Sequence, residues 1–230
     1  MKPQLFLLHF AGGSRYSYNF MKDHLPGFEF VPLELPGRGK RVREDLVRNF
    51  EVAAGDIRDS ILEQLNSPEF LVYGHSMGAI LALKVTAMLE ADGKYPLHMI
   101  VSGNPGPGQR RGRKRWQLAE DEFRAELRSI GGIPEEVFDN EALFGFFLPV
   151  LKADFELLEE CDDKALQPVR SPIYAIMGDM EESADRIGGW RRFSLSDVRC
   201  KVLEGGHFFI REQVKEVCQI ITDCYKTLLI

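Results

Sequence analysis

Between Phe70 and Glu90 an apolar run, Phe70-Leu71-Val72-Tyr73, gives way to a helical one beginning at Ala79, across the pentapeptide Gly74-His75-Ser76-Met77-Gly78. A lone Gly-x-Ser-x-Gly is a weak signal, but a strand before it and a helix after it are the context of a nucleophile elbow. In such an elbow the chain turns so sharply that side chains at Gly74 and Gly78 would collide, while Ser76 is thrust out with its hydroxyl above the sheet. The competing explanation is a buried strand followed by an ordinary glycine turn.

The rest of the chain favours the elbow. Six short apolar runs, Leu5 to Leu8, Phe28 to Leu33, Phe70 to Tyr73, Leu97 to Val101, Ile173 to Met177 and Val198 to Leu203, read as strands bounded by Gly or Pro. Between them lie helical patterns. Val52, Ile57, Ile61 and Leu65 make one apolar stripe, Ala79 to Leu89 is almost wholly apolar, and Val214, Val217, Ile221 and Leu228 make a closing stripe. This alternation predicts an α/β fold, a mostly parallel sheet covered on both faces, with ligands at the carboxyl ends of the strands. Ser76 falls at such an end.

One stretch breaks the rhythm. From about residue 105 to 168 the chain shows helical patterns at Glu120 to Leu127, Asn140 to Val150 and Lys152 to Glu160, with no strand among them. It reads as a helical lid inserted into a single domain of 230 residues, since no linker divides the chain into halves that could each bury a core. Its apolar residues, Leu143, Phe144, Phe146, Phe147, Leu148, Val150, Leu151, Phe155, Leu157 and Leu158, are expected chiefly to pack, with part of that surface available to hold an acyl chain.

A formal net charge of -6 disfavours nucleic acid as a partner. The four cysteines form no C-x-x-C pair, so neither a zinc site nor a disulfide framework is indicated, and a reducing cytoplasm is the expected setting. The apolar start is too short for a signal-peptide core or a membrane span.

A serine hydroxyl needs a base to take its proton and a carboxylate to orient that base. In a hydrolase of this architecture the chain order is serine, acid, histidine. Of five histidines only His98 and His207 follow Ser76, and His98 sits in a predicted strand, which leaves His207, on the loop Glu204-Gly205-Gly206-His207 after the last strand. For the acid Glu181 is preferred, with Asp179 as the alternative. Glu181 stands three residues after Gly178, where such hydrolases often carry it, and Asp179 stands one residue after, where a carboxylate more naturally stabilises the turn. Two backbone N–H groups should stabilise the oxyanion. They are expected from Met77 and from Ala11, in the loop His9-Phe10-Ala11-Gly12-Gly13-Ser14.

These segments, together with Leu35-Pro36-Gly37-Arg38-Gly39, Ser102-Gly103, Leu148-Pro149-Val150-Leu151-Lys152-Ala153-Asp154-Phe155 and Gly205-Gly206-His207-Phe208-Phe209, make the chain resemble a type II thioesterase, the stand-alone editing enzyme of nonribosomal peptide and polyketide synthesis. The resemblance implies an α/β-hydrolase fold with Ser76 as nucleophile, His207 as base, and Ala11 and Met77 as the oxyanion hole. It implies an acyl thioester substrate on the phosphopantetheine arm of an acyl- or peptidyl-carrier protein, no cofactor of the enzyme's own, and a monomer. The family's acid is usually Asp at the third residue after the strand-ending glycine. Here that residue is Glu181, and the departure leaves the acid open.

Arg110, Arg111, Arg113, Lys114 and Arg115 put five positive charges in six residues of an acidic chain. They read as a solvated loop, with steering of an acidic carrier protein as the functional alternative. Arg38 is expected to be structural, and so is His75, beneath the elbow. Asp59-Ser60-Ile61 superficially resembles a phosphopantetheine attachment site, but lies within a helical stripe with no carrier-type bundle around it. Two readings compete with the editing enzyme. One is a medium-chain acyl-carrier thioesterase, acyl-CoA hydrolase or carboxylesterase on the same scaffold; the other is an inactive carrier-binding module, suggested only by Glu181.

Overall fold

The computed structural model describes residues 2–108 and 114–226. Six strands, β1 (Gln4–Leu8), β2 (Glu29–Pro32), β3 (Phe70–His75), β4 (Met99–Ser102), β5 (Ile173–Gly178) and β6 (Val198–Leu203), form one sheet in the order β2-β1-β3-β4-β5-β6. Every neighbouring pair is parallel. Each expected strand is present, with ends shifted by a residue or two.

Side-chain alternation along the strands splits the interior into two cores. Phe6 and Leu8 of β1 and Phe70 and Val72 of β3 point into one, with Ala53, Ala54, Ile57 and Ile61 of α1 (Phe50–Gln64) and with the apolar α2 (Met77–Ala91). Leu5, Leu7, Leu71 and Tyr73 point into the other. There they meet Tyr18, Met21 and Leu25 from the segment after β1, and the last helix of the chain. Asn49 caps α1 by accepting the Val52 N–H at 3.0 Å. Val52 itself is 58% exposed, because Phe50, Ala53 and Ala54 carry the buried face in place of the expected Val52.

The segment 105–168 enters between β4 and β5, and its described residues hold helices and no strand. They are α3 (Glu120–Ile130), α4 (Glu135–Phe138) and α5 (Glu141–Glu159). The two helices expected over 140–160 are one. Pro149 lies inside α5, where it forfeits a single backbone hydrogen bond, and the burial of Val150, Leu151, Phe155, Leu157 and Leu158 holds the helix continuous across it. Phe123, Leu127, Phe138, Phe144, Leu151 and Phe155 form a third core inside this insertion, while Phe146 stays 61% exposed.

After β6 come α6 (Phe209–Glu212) and α7 (Val214–Lys226). The expected Leu228 lies outside the described residues. In strand order the chain moves from β1 outward to β2 and then back across to β3, so the direction of winding reverses between β1 and β3. In open α/β sheets the crevice at such a reversal is the ligand site.

Candidate active site

At the carboxyl end of β3 the backbone at Ser76 adopts φ 57° and ψ −111°, and Ser76 is the one described non-glycine residue with positive φ. Close approach of backbone on both sides imposes this turn. A Cβ at Gly74 would overlap the Gly78 carbonyl, and a Cβ at Gly78 would overlap the Leu8 carbonyl of neighbouring β1. The turn is pinned by Ser76 N–H donating to Ser102 O at 2.8 Å and by Asn104 Nδ2 donating to Ser76 O at 3.3 Å. Ser76 is half-buried, and Met77 opens α2, where the first N–H groups of a helix have no intrahelical partner.

Strands β5 and β6 bring the remaining groups to the same edge. His207 Nε2 lies 2.9 Å from Ser76 Oγ, and His207 Nδ1 lies 2.7 Å from Glu181 Oε2. Glu181 Oε1 accepts the Gly178 N–H at 2.9 Å, so the carboxylate is anchored to the end of its own strand. With Nδ1–H donating to Glu181, the neutral ring presents Nε2 as an acceptor for the Ser76 hydroxyl. Asp179 is not brought to the histidine: its Oδ1 accepts the Gly205 N–H at 2.9 Å and thereby shapes the loop that carries His207.

Beneath this row lies a buried polar layer. The His75 ring is fully buried, 5.0 Å from that of His207, and its Nδ1 is 2.9 Å from Ser102 Oγ, which is 2.7 Å from the Tyr73 hydroxyl. Burial, reinforced by the neighbouring His207, pushes the His75 pKa well below the usual histidine range, so it stays neutral. Phe208 stacks edge-on against Phe10 at 5.0 Å, joining the histidine loop to the loop after β1.

That second loop is held from several directions. Phe10 O accepts from Gly13 N at 2.9 Å and lies 2.9 Å from His9 Nδ1, while His9 Nε2 accepts from Leu35 N at 3.4 Å. Burial first, and the Arg38 charge second, lower the His9 pKa to about 4, consistent with a neutral ring in that role. None of these bonds uses the Ala11 N–H. The insertion reaches the site at two places, with Leu151 of α5 against Gly12 and Gly132 against the Phe208 ring.

The basic run divides. Lys114 pairs with Glu160 at 2.9 Å and Arg115 Nε with Glu159 at 2.6 Å, so these two are engaged by the end of α5; Arg110, Arg111 and Arg113 lie outside the described residues. His98 ends up just before β4, buried, with burial lowering its pKa to about 4. Asp59 and Ser60 lie within α1. Asn104, which reaches the elbow, carries no readable signal in the sequence, and Ser102, beneath it, stands out only through the Ser102-Gly103 segment of the resemblance, with no role assigned. Asp154 does carry a signal, as a lone acid among the apolar residues of the Leu148–Phe155 segment.

The thioesterase domain family matches residues 3–225. The linear gramicidin dehydrogenase LgrE of Brevibacillus parabrevis is 30% identical over 98% of this chain and 89% of its own. The thioesterase PikA5 of Streptomyces venezuelae is 27% identical over 94% and 78%. Among solved structures, YbtT, a type II thioesterase from the yersiniabactin NRPS/PKS biosynthetic pathway, superposes with a TM-score of 0.88 at 28% identity, covering 98% of this chain and 94% of that one. The chain belongs to the thioesterase family. Its fold is that of the α/β-hydrolases, it is a hydrolase acting on thioesters, and the solved structures it is similar to include type II thioesterases. Among the described residues no helix is long and apolar enough to cross a membrane.

Proposed function

We propose that the protein is an editing thioesterase of nonribosomal peptide or polyketide synthesis, releasing acyl groups from the phosphopantetheine arm of a carrier protein. The supporting observation is the unbroken row Ser76 Oγ, His207 Nε2, His207 Nδ1, Glu181 Oε2, with contacts of 2.9 and 2.7 Å. In this reading His207 takes the Ser76 proton as Oγ attacks the thioester carbonyl, and Glu181 holds the imidazolium that forms. The oxyanion is met by the N–H groups of Ala11 and Met77. Collapse of the tetrahedral species breaks the C–S bond, the departing sulfur takes the proton from His207 to leave as the pantetheine thiol, and the acyl group stays on Ser76. A water then gives its proton to His207 and attacks the ester, and His207 passes that proton to Ser76 Oγ as the carboxylic acid leaves.

The leaving group suits the apparatus. A cysteine-like thiol, with an ordinary pKa of about 8.5, needs less acid assistance than an amine or alcohol. Relatives and structural neighbours named for gramicidin, yersiniabactin and borrelidin biosynthesis support the carrier-protein context. The dehydrogenase name of LgrE belongs to that relative; the hydrogen-bonded serine, histidine and carboxylate of this chain are arranged for acyl transfer. Ser76→Ala is expected to lower turnover on an acyl-phosphopantetheinyl carrier protein by on the order of 10⁴ or more. Residual hydrolysis within tenfold of wild type, or faster release from CoA than from the carrier protein, would overturn the reading.

A further inference from the structure

Arg38 and Asp154, 5% and 0% exposed, meet in the interior as a bidentate pair, Nη1–Oδ2 at 2.6 Å and Nη2–Oδ1 at 2.7 Å. Taking both charges out of water costs several kcal/mol before any return, and apolar residues of similar volume would serve packing at least as well. The contacts beyond the pair give it a different purpose. Asp154 Oδ2 accepts the Gly12 N–H at 2.8 Å, and Arg38 Nη1 donates to Gly13 O at 3.3 Å.

Ala11 therefore lies between two clamped peptide planes. The plane that contains its own N–H is held through Phe10 O, by His9 Nδ1 and Gly13 N; the following plane is held through the Gly12 N–H, by Asp154. A planar trans peptide fixes its N–H once its carbonyl is fixed, and the second clamp removes the freedom of Ala11 to rotate about its own bonds. Leu151, three residues before Asp154 and on the same face of α5, lies against Gly12 from the same side.

We infer that Arg38 and Asp154 are positioning residues for the oxyanion hole: the Asp154 carboxylate, itself oriented by Arg38, aims the Ala11 N–H by holding the Gly12 peptide. This rests on the reading of Ala11 as an oxyanion donor. It also makes α5 the mechanical support of that donor, so the inserted helix is part of the catalytic apparatus as well as a cover.

The test uses Asp154→Asn and the double variant Arg38→Met/Asp154→Leu. The double variant replaces the buried pair by apolar groups, a change that often leaves stability intact, while removing the acceptor for Gly12. Both are assayed with an acyl carrier protein and with a small acyl thioester, and their affinity for an acyl trifluoromethyl ketone is measured, because its adduct with serine carries an oxyanion. Misaiming a donor that acts only in the transition state should lower kcat per active site by about 10- to 100-fold on both substrates, somewhat less than deleting a donor outright. KM should stay within about twofold, and ketone affinity should fall by the same factor as kcat. Unchanged kcat and ketone affinity in the folded double variant, or losses that track the melting temperature while ketone affinity is kept, would overturn the inference. An active Ser76→Ala enzyme would instead remove the underlying reading; an inactive one alongside unimpaired Asp154 variants removes this inference alone.

Discussion

Glu181 and His207 meet at 2.7 Å across the ends of adjacent strands β5 and β6, while Asp179, two residues before Glu181, faces the Gly205 amide. The extra methylene of Glu gives the carboxylate its reach to Nδ1 from a position three residues after Gly178. Glu181→Gln should lose on the order of 10³- to 10⁴-fold in kcat, because an amide no longer stabilises the imidazolium or its tautomer. Asp179→Asn should lose less than about tenfold, through a slackened histidine loop. Steady-state kinetics on one acyl-carrier substrate decide between them. The reverse ranking would move the acid to Asp179.

The elbow at Ser76 holds a backbone conformation rare for a non-glycine residue. A non-glycine residue at φ 57° and ψ −111° costs on the order of 1–3 kcal/mol, and Ser76 is held there by the Ser102 and Asn104 contacts. Glycine visits this region freely, against a penalty of its own in the unfolded chain. Ser76→Gly should therefore raise stability by about 1 kcal/mol, roughly 2–4 °C in melting temperature for a domain of this size, while abolishing turnover. Ser76→Ala keeps the strain and should not show this gain. Calorimetry of the three proteins checks it, and a glycine variant that melts below the alanine variant contradicts it.

Buried histidines set an acid limit to stability. His9 is lowered from 6.5 to about 4, chiefly by burial, and His98 falls similarly, so the unfolded chain takes up these protons at a higher pH than the folded one. For groups depressed in this way the stabilisation is complete above the unfolded value of 6.5 and is lost as pH falls from there through about 4. The His9 displacement corresponds to on the order of 3 kcal/mol. Urea midpoints measured from pH 7.5 to 4 should fall more steeply for wild type than for His9→Gln, which keeps a hydrogen-bonding side chain and does not titrate. Parallel curves would contradict the assignment.

The sheet and the row of candidate residues were legible because each rested on a local signal. Six apolar runs gave six strands, and the elbow glycines, the Gly-Gly-His loop and the order serine, acid, histidine led to Ser76 and His207. The position three residues after Gly178 favours Glu181 over Asp179, and the structure brings Glu181 to His207 while Asp179, leaving the same strand end, turns to the Gly205 amide. Val52 departs from the expected stripe because the small Ala53 and Ala54 carry the buried face of α1 where it packs with α2. The unbroken α5 has no local signature, because the hydrogen bond that Pro149 forfeits is a local feature while the burial that compensates for it is tertiary. The Arg38–Asp154 pair spans 116 residues: Asp154 stands out as a lone acid in its segment, but nothing local names its partner.

In the proposed function Ser76 carries the acyl group between the two half-reactions. Mixing the enzyme with an acyl-phosphopantetheinyl carrier protein, quenching within a few turnovers, and taking intact and peptide masses tests this directly. The expected result is an increment equal to the acyl group on the peptide containing Ser76, absent from Ser76→Ala. Full turnover with no adduct at any time point, or an adduct on another residue, would contradict it.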